Sequence, residues 1–191
     1  MGDADQPAGR LFVISGPGGV GKGTVVARLR SCLPDLAVSV SATTRPPRPG
    51  EVDGVHYHFV DDAAFDRMVA QEAFLEWAEF AGSRYGTPWS SIKGALRSGR
   101  EVVLEIEING ARQVRRRLPG AVLVFLAPPS VEELVARLRG RGTDDPAQVQ
   151  RRMLLARWEM EHAGEFDHVV VNRTVEQAAQ DIGRILGSAP A

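Results

Sequence analysis

The sequence has a single cysteine, Cys32, among its 191 residues. It therefore forms no internal disulfide, and a lone thiol fits a reducing compartment. Cys32 ends a helical pattern and is expected to pack as a small apolar group. No apolar run approaches the ~20 residues that a membrane-spanning helix needs. The formal net charge is only −1, so no global field draws the chain to nucleic acid or to a membrane surface, and anions must be handled by local clusters. Lysine is nearly absent: of 23 lysines and arginines, only Lys22 and Lys93 are lysines. The arginine bias proves little, but a lysine at position 22 is informative. His56, His58, His162 and His168 lack a metal-ligand spacing and receive no catalytic role. The opening MGDADQPAGR is polar and acidic, unlike a signal peptide, and Gln6 stands where a myristoylation motif needs Ser or Thr. Residues 1–9 are expected to be disordered and the protein cytoplasmic.

What remains is a globular balance, 43% hydrophobic and 25% charged, suited to one domain with inserted subdomains. LFVIS (11–15) reads as a buried strand, followed by a glycine-rich loop and a helix with Val25, Val26, Leu29 and Leu33 at helical spacing. LAVSV is a second strand. Residues 42–56, with Pro46, Pro47, Pro49, Gly50 and Gly54, read as irregular and outside the core. HYHFV and AFLEWAEF read as half-buried strands around a helix at Asp62–Gln71. TPWSSIKGALRSG predicts a helix starting near Thr87 or Ser90. EVVLEIEI (101–108) and AVLVFLAPPS are strands, the second followed by a helix with Ser130 and Glu133 as a capping box. RGTDDP is a turn, AQVQRRMLLARWEMEHAGEF a long helix, DHVVVN a last strand and TVEQAAQDIGRILG a last helix. No internal repeat is present. Alternating strands and helices predict an α/β fold, with a parallel sheet and ligands at the carboxyl ends of its strands.

GPGGVGKGT (16–24) carries the first chemistry. Gly16, Pro17, Gly18, Gly19, Val20 and Gly21 let backbone N–H groups converge on phosphate oxygens, the helix start adds positive potential, and Lys22 brings a mobile charge. The strand before and the helix after argue against a glycine turn with an incidental lysine. The usual hydroxyl after the lysine is missing: Gly23 stands there and Thr24 comes one residue late. A second anion site is suggested by Arg45 and Arg48, three apart in a proline-stiffened loop with Tyr57 following. The competing reading is a solvated charged loop. Two phosphate sites in one chain suggest a phosphoryl transferase.

At this point the chain resembles a family. SVSATTRPPRPGEVDGVHYHF is similar to the nucleoside-monophosphate segment of guanylate kinases, and FLEWAEF, YGT, LEIEINGA, FLAPPS, RLRGRGT and VVVN follow in that family's order. The resemblance runs from about Leu11 to about Leu186. It implies a P-loop kinase core at 10–41, 95–129 and 154–191, a GMP-binding subdomain at 42–94 and a short helical lid at 130–153. It implies transfer of a phosphoryl group from ATP to GMP, with Mg²⁺ and with dGMP as a further acceptor to test. Ser41, Arg45, Arg48, Tyr57 and Tyr85 match the residues holding the GMP phosphate. Glu76 matches the acid that reads guanine, and Thr87 a hydroxyl near the guanine O6. Arg137, Arg141 and Arg152 match lid arginines that close over the ATP phosphates, with Lys22 and Arg45 as catalytic partners. Asn172 falls on the adenine side. Two departures stand out. Glu105 and Glu107 occupy positions where the family usually has aspartates; they are assigned to Mg²⁺-bound water and to GMP. GKGT resembles the loop of adenylate kinases, so Mg²⁺ is expected to be held by ATP phosphates and water, with no protein ligand. The alternatives weighed are a sugar-phosphate kinase of the same fold and a non-catalytic binding module.

Overall fold

The computed structural model describes residues 9–80, 82–139 and 146–188, without the side chains at 137–139, 146–149, 151, 152 and 188. All of β1 (Leu11–Ser15) is buried, and its alternating side chains serve both faces of a sheet. Phe12 and Ile14 pack with Val25, Val26 and Leu29 of α1 (Lys22–Cys32) and with Ala178, Ile182 and Leu186 of α7 (Val175–Ser188). Leu11 and Val13 pack on the other face with Ile108, Ala111 and Val114 of α4 (Ile108–Arg117) and Leu96 of α3 (Lys93–Arg97).

The main sheet is wholly parallel. Its order is β2 (Ala37–Val38), β7 (Val102–Glu105), β1, β8 (Val122–Ala127), β9 (His168–Val171). Ile14 pairs with Glu105 and Ser15 with Phe125, so the carboxyl ends of the central strands are level, and the loops leaving them share one edge. A second sheet is built from β3 (Ala42–Thr43), β4 (His58–Phe59), β5 (Phe74–Phe80) and β6 (Ser83–Pro88), in the order β4-β3-β6-β5. The helix α2 (Asp62–Ala70), capped by Asp61 accepting from the Ala64 N–H at 2.6 Å, covers it. Phe65 stacks on Phe74 with ring centroids 4.6 Å apart, giving this sheet its own small core. The helix α5 (Val131–Arg139) has its expected cap, Ser130 Oγ accepting from the Glu133 N–H at 3.2 Å. A long helix, α6 (Pro146–Glu161), leads back to β9. Among the described residues, no helix is long and apolar enough to cross a membrane.

Several expectations are corrected. The strand EVVLEIEI stops at Glu105, because the Glu107 carboxylate caps α4, a helix the sequence reading passed over. Thr87 and Pro88 belong to β6; only a 3₁₀ turn (Trp89–Ser91) and the short α3 follow. Ala42 and Thr43 are fully buried in β3, so 42–56 does enter a core. Gly9 is ordered and buried, its N–H donating to the Leu96 carbonyl at 2.9 Å. Cys32 is exposed, not packed.

Candidate active site

The carboxyl edge of the main sheet faces the second sheet across a cleft of about 330 Å³, lined by Gly18, Lys22, Ser41, Arg45, Arg48, Tyr57, Glu76, Tyr85, Glu105, Glu107 and Glu159, among others. The glycine loop forms one wall. Gly16 has φ +141°, and a Cβ there would lie 2.2 Å from the Leu126 carbonyl oxygen, so no other residue fits between β1 and β8. Gly21 starts α1 with φ 99° and no side-chain cap, and the first turn carries no acid. The first N–H groups of α1 are thus left for an incoming anion. Lys22 Nζ donates to the Gly16 carbonyl at 2.6 Å.

Arg45 lies on the opposite wall. Its two terminal nitrogens each donate to Glu51 at 2.9 Å, and its guanidinium carbon sits 5.5 Å from the Tyr57 ring centroid and 5.8 Å from that of Phe59. Glu51 also accepts from the Arg48 N–H at 2.7 Å. The Arg45 guanidinium and the Arg48 backbone N–H hold the Glu51 carboxyl down to about 2. Tyr57 and Tyr85 meet edge to face at 6.0 Å. Glu51 was not singled out from the sequence, where one acid in a polar loop reads as solvation.

Glu76 is on β5, only 4% exposed, with Oε1 accepting from the Thr87 hydroxyl at 2.6 Å. Burial pushes its carboxyl up to about 7, against the Thr87 bond. Its other oxygen lies against Gly110, where a Cβ would stand 2.6 Å away. Gln113 of α4 fixes the strand from outside, its Nε2 donating to the Trp77 carbonyl at 2.7 Å and its Oε1 accepting from the Trp77 N–H at 3.3 Å. The core helix α4 thereby registers the strand that carries Glu76.

Three further carboxylates surround Lys22. Burial lowers its ammonium below the usual range, while Glu105, Glu159 and Glu107, in that order, pull it back up. Glu105 opens to the cleft mouth yet is ringed by protein on most sides, and burial raises its carboxyl against the opposing Lys22 charge. Its oxygens lie 3.4 and 3.7 Å from where a Gly23 Cβ would be. Glu107 spends both oxygens on the α4 cap, accepting from the Asn109 N–H at 2.9 Å and the Gly110 N–H at 2.8 Å. Glu159 of α6 is 4% exposed. Thr24 is exposed. Asn172 is buried, its Nδ2 donating to the Val20 carbonyl at 2.7 Å, so it braces the glycine loop. Arg141 lies outside the described residues. Arg137 and Arg152 belong to α5 and α6, with side chains outside them.

The guanylate kinase family model matches residues 8–189. A guanylate kinase of Thermobifida fusca is 58% identical over 178 residues, covering 93% of this chain and 90% of its own. One from Streptomyces coelicolor is 54% identical over 173 residues, covering 91% and 88%. The crystal structure of guanylate kinase from Anaplasma phagocytophilum superposes with a TM-score of 0.78 at 32% identity, covering 94% of this chain and 85% of that one. A buried carboxylate opposite a phosphate loop, a second basic cluster across the cleft and these likenesses along the whole fold agree. The chain belongs to the guanylate kinase family, enzymes that transfer a phosphoryl group between ATP and GMP.

Proposed function

We propose that GMP lies between the two sheets, with its base on Glu76 and Thr87 and its phosphate on Ser41, Arg45, Arg48, Tyr57 and Tyr85, while Gly16–Thr24 and Lys22 cradle the ATP phosphates. The observation carrying this reading is that one cleft gathers Glu76, the Arg45–Arg48 loop and Lys22. A carboxylate accepts from both guanine N1–H and the 2-amino group, whereas adenine offers a bare acceptor at N1. In this reading 42–94 is the GMP-binding subdomain and 130–153 the lid, and the protein works in the cytoplasm. The GMP phosphate is already ionised, so its attack on the γ-phosphorus needs no general base. The protein aligns the two nucleotides, neutralises charge and excludes water.

Charge counting supports the lid and Mg²⁺. Among the described lining residues, three cations (Lys22, Arg45, Arg48) face four carboxylates (Glu76, Glu105, Glu107, Glu159). Two nucleotides would bring several more negative charges. Arg137, Arg141 and Arg152 supply part of the balance, and Mg²⁺ with ATP supplies charge neutralisation at the phosphate oxygens. Glu105 offers a hard oxygen beside Gly23, placed to orient metal-bound water. Gly23→Ser should then lower the Mg²⁺ needed for half-maximal rate, since its hydroxyl enters beside Glu105, whose flexible end can shift. Thr24→Ala should leave the requirement within about twofold, because one residue along a helix turns the side chain by ~100°. Magnesium titrations of initial rate at saturating GMP check both, and a large rise in Thr24→Ala would sink the water-held arrangement.

Gly110→Ala tests the base site from the opposite side. The new methyl would force the Glu76 carboxylate aside, while a helical alanine costs the backbone nothing. GMP kcat/KM should fall about tenfold or more at nearly unchanged KM for ATP. A panel of GMP, dGMP, AMP and ribose 5-phosphate, with ATP alone as control, tests the whole reading. ATP turnover that ignored the acceptor would overturn it.

A further inference from the structure

Glu159 is left over by every role assigned so far. It lies in the last turn of the long helix α6, well away from the nucleotide-monophosphate loop in sequence, yet it lines the same cleft as Gly18 and Lys22. It is 4% exposed, and its Oε2 is fully buried with no hydrogen-bond partner. An unpaired buried carboxylate oxygen is costly, and such an exception in a satisfied interior asks for a reason. Burial raises the Glu159 carboxyl, and nearby Glu107 adds to that, while Lys22 and the Gly18 backbone N–H favour its charged form. The other acids near Lys22 are differently engaged: Glu107 is consumed by the α4 cap, and Glu105 stands beside Gly23.

The geometry points to Glu159 as a positioning residue for phosphoryl transfer: from the last turn of α6 it steadies the phosphate loop at Gly18 and supplies part of the counter-charge that lets Lys22 keep its ammonium. A lysine desolvated on all sides tends to lose its proton, and a nearby negative charge opposes that. The groups facing Lys22 are Glu105 at the end of β7, Glu107 at the start of α4 and Glu159 on α6. Only Glu159 comes from the helix that begins in the lid stretch, with Arg152 seven residues earlier, nearly two turns, on the same helix.

This rests on the assignment of Lys22 to the ATP phosphates, and the test separates the two. Glu159→Gln keeps an acceptor for Gly18 but removes the charge; Glu159→Asp keeps the charge but shortens the reach. In Glu159→Gln the alkaline limb of the kcat–pH profile should move to lower pH, so that kcat drops about tenfold at pH 9 and less at pH 7, with melting temperature kept. In Glu159→Asp the limb should stay near its wild-type position while KM for ATP rises severalfold, as the loop loses its brace. A limb unmoved in Glu159→Gln, or moved equally in both variants, overturns the inference. Lys22→Ala measured in parallel reports on the assignment beneath: normal turnover there removes Lys22 itself, whereas lost turnover there with an unmoved limb in Glu159→Gln removes Glu159 alone. Should Glu159→Gln fail to fold, a wild-type-like KM for ATP in Glu159→Asp would still overturn the loop-bracing half.

Discussion

Lys22→Ala will lower kcat by about 10²- to 10³-fold or more while the protein stays folded. The fold should persist because α1 is anchored by Val25, Val26 and Leu29, none of which depends on the lysine. In the proposed arrangement the loss falls on kcat, because the ammonium would act where negative charge redistributes between the β- and γ-phosphates, an interaction stronger in the transition state than in the ground state. KM for ATP will rise as well, since Glu105, Glu107 and Glu159 then face the phosphates with their nearest cation gone. Single-turnover rates with a melting curve on the same preparation decide the matter. A kcat within a few fold of wild type would take Lys22 out of the mechanism.

Glu76→Gln will lower kcat/KM for GMP at least tenfold and leave AMP much less affected. The amide turns an NH₂ donor toward guanine's own donors, and a mispaired buried polar group costs about 1–3 kcal/mol. The same residue sets a pH dependence. Its carboxyl titrates at about 7, raised chiefly by burial, so below that pH the free enzyme carries a neutral acid that cannot accept both guanine donors. kcat/KM for GMP should therefore fall as pH drops through 7, approaching tenfold per unit, while kcat changes little because bound guanine stabilises the carboxylate. The GMP phosphate itself titrates near 6, so the limb to assign to Glu76 is the part that vanishes in Glu76→Gln. Stability runs oppositely. A carboxyl raised in the folded state adds stability below its unfolded value of 4.5, and loses it as pH rises through 7. Glu76→Gln should thus melt no lower than wild type at pH 8, and a parallel loss with GMP and AMP would reduce Glu76 to a structural part.

How much of this was readable in advance depends on how local each signal is. LFVIS, AVLVFLAPPS and the glycine loop announce themselves, because strands buried on both faces are continuous apolar runs and a phosphate loop is a short contiguous motif. The strands β3 and β4 have only two residues each; Ala42 is a strand residue because Gly86 and His58 pair with it, and nothing within 42–56 reveals that. The helix α4 was hidden by the apolar–acidic alternation of EVVLEIEI running into it and by its arginines. Ile108, Ala111 and Val114 at intervals of three, behind the capping Glu107, were the available signal. Glu51 and Glu159 could not be found from pattern alone. Each is an ordinary acid in an ordinary place until the fold sets Arg45 against one and the phosphate loop against the other.

The bidentate Arg45–Glu51 pair has a consequence for the shape of the loop that carries it. Arg45 and Arg48 share one short loop, where two bare guanidiniums would repel each other. With Glu51 bound to the Arg45 fork and to the Arg48 backbone, the loop is held together from within. If the proposed GMP phosphate binds this fork, it has to trade places with, or slip in beside, an anion already present, so the loop's shape need change little on entry. The same exchange would ease departure of the diphosphate, with Glu51 placed to take back the arginine. An internal acid would then be the resident ligand of a site built for an external phosphate.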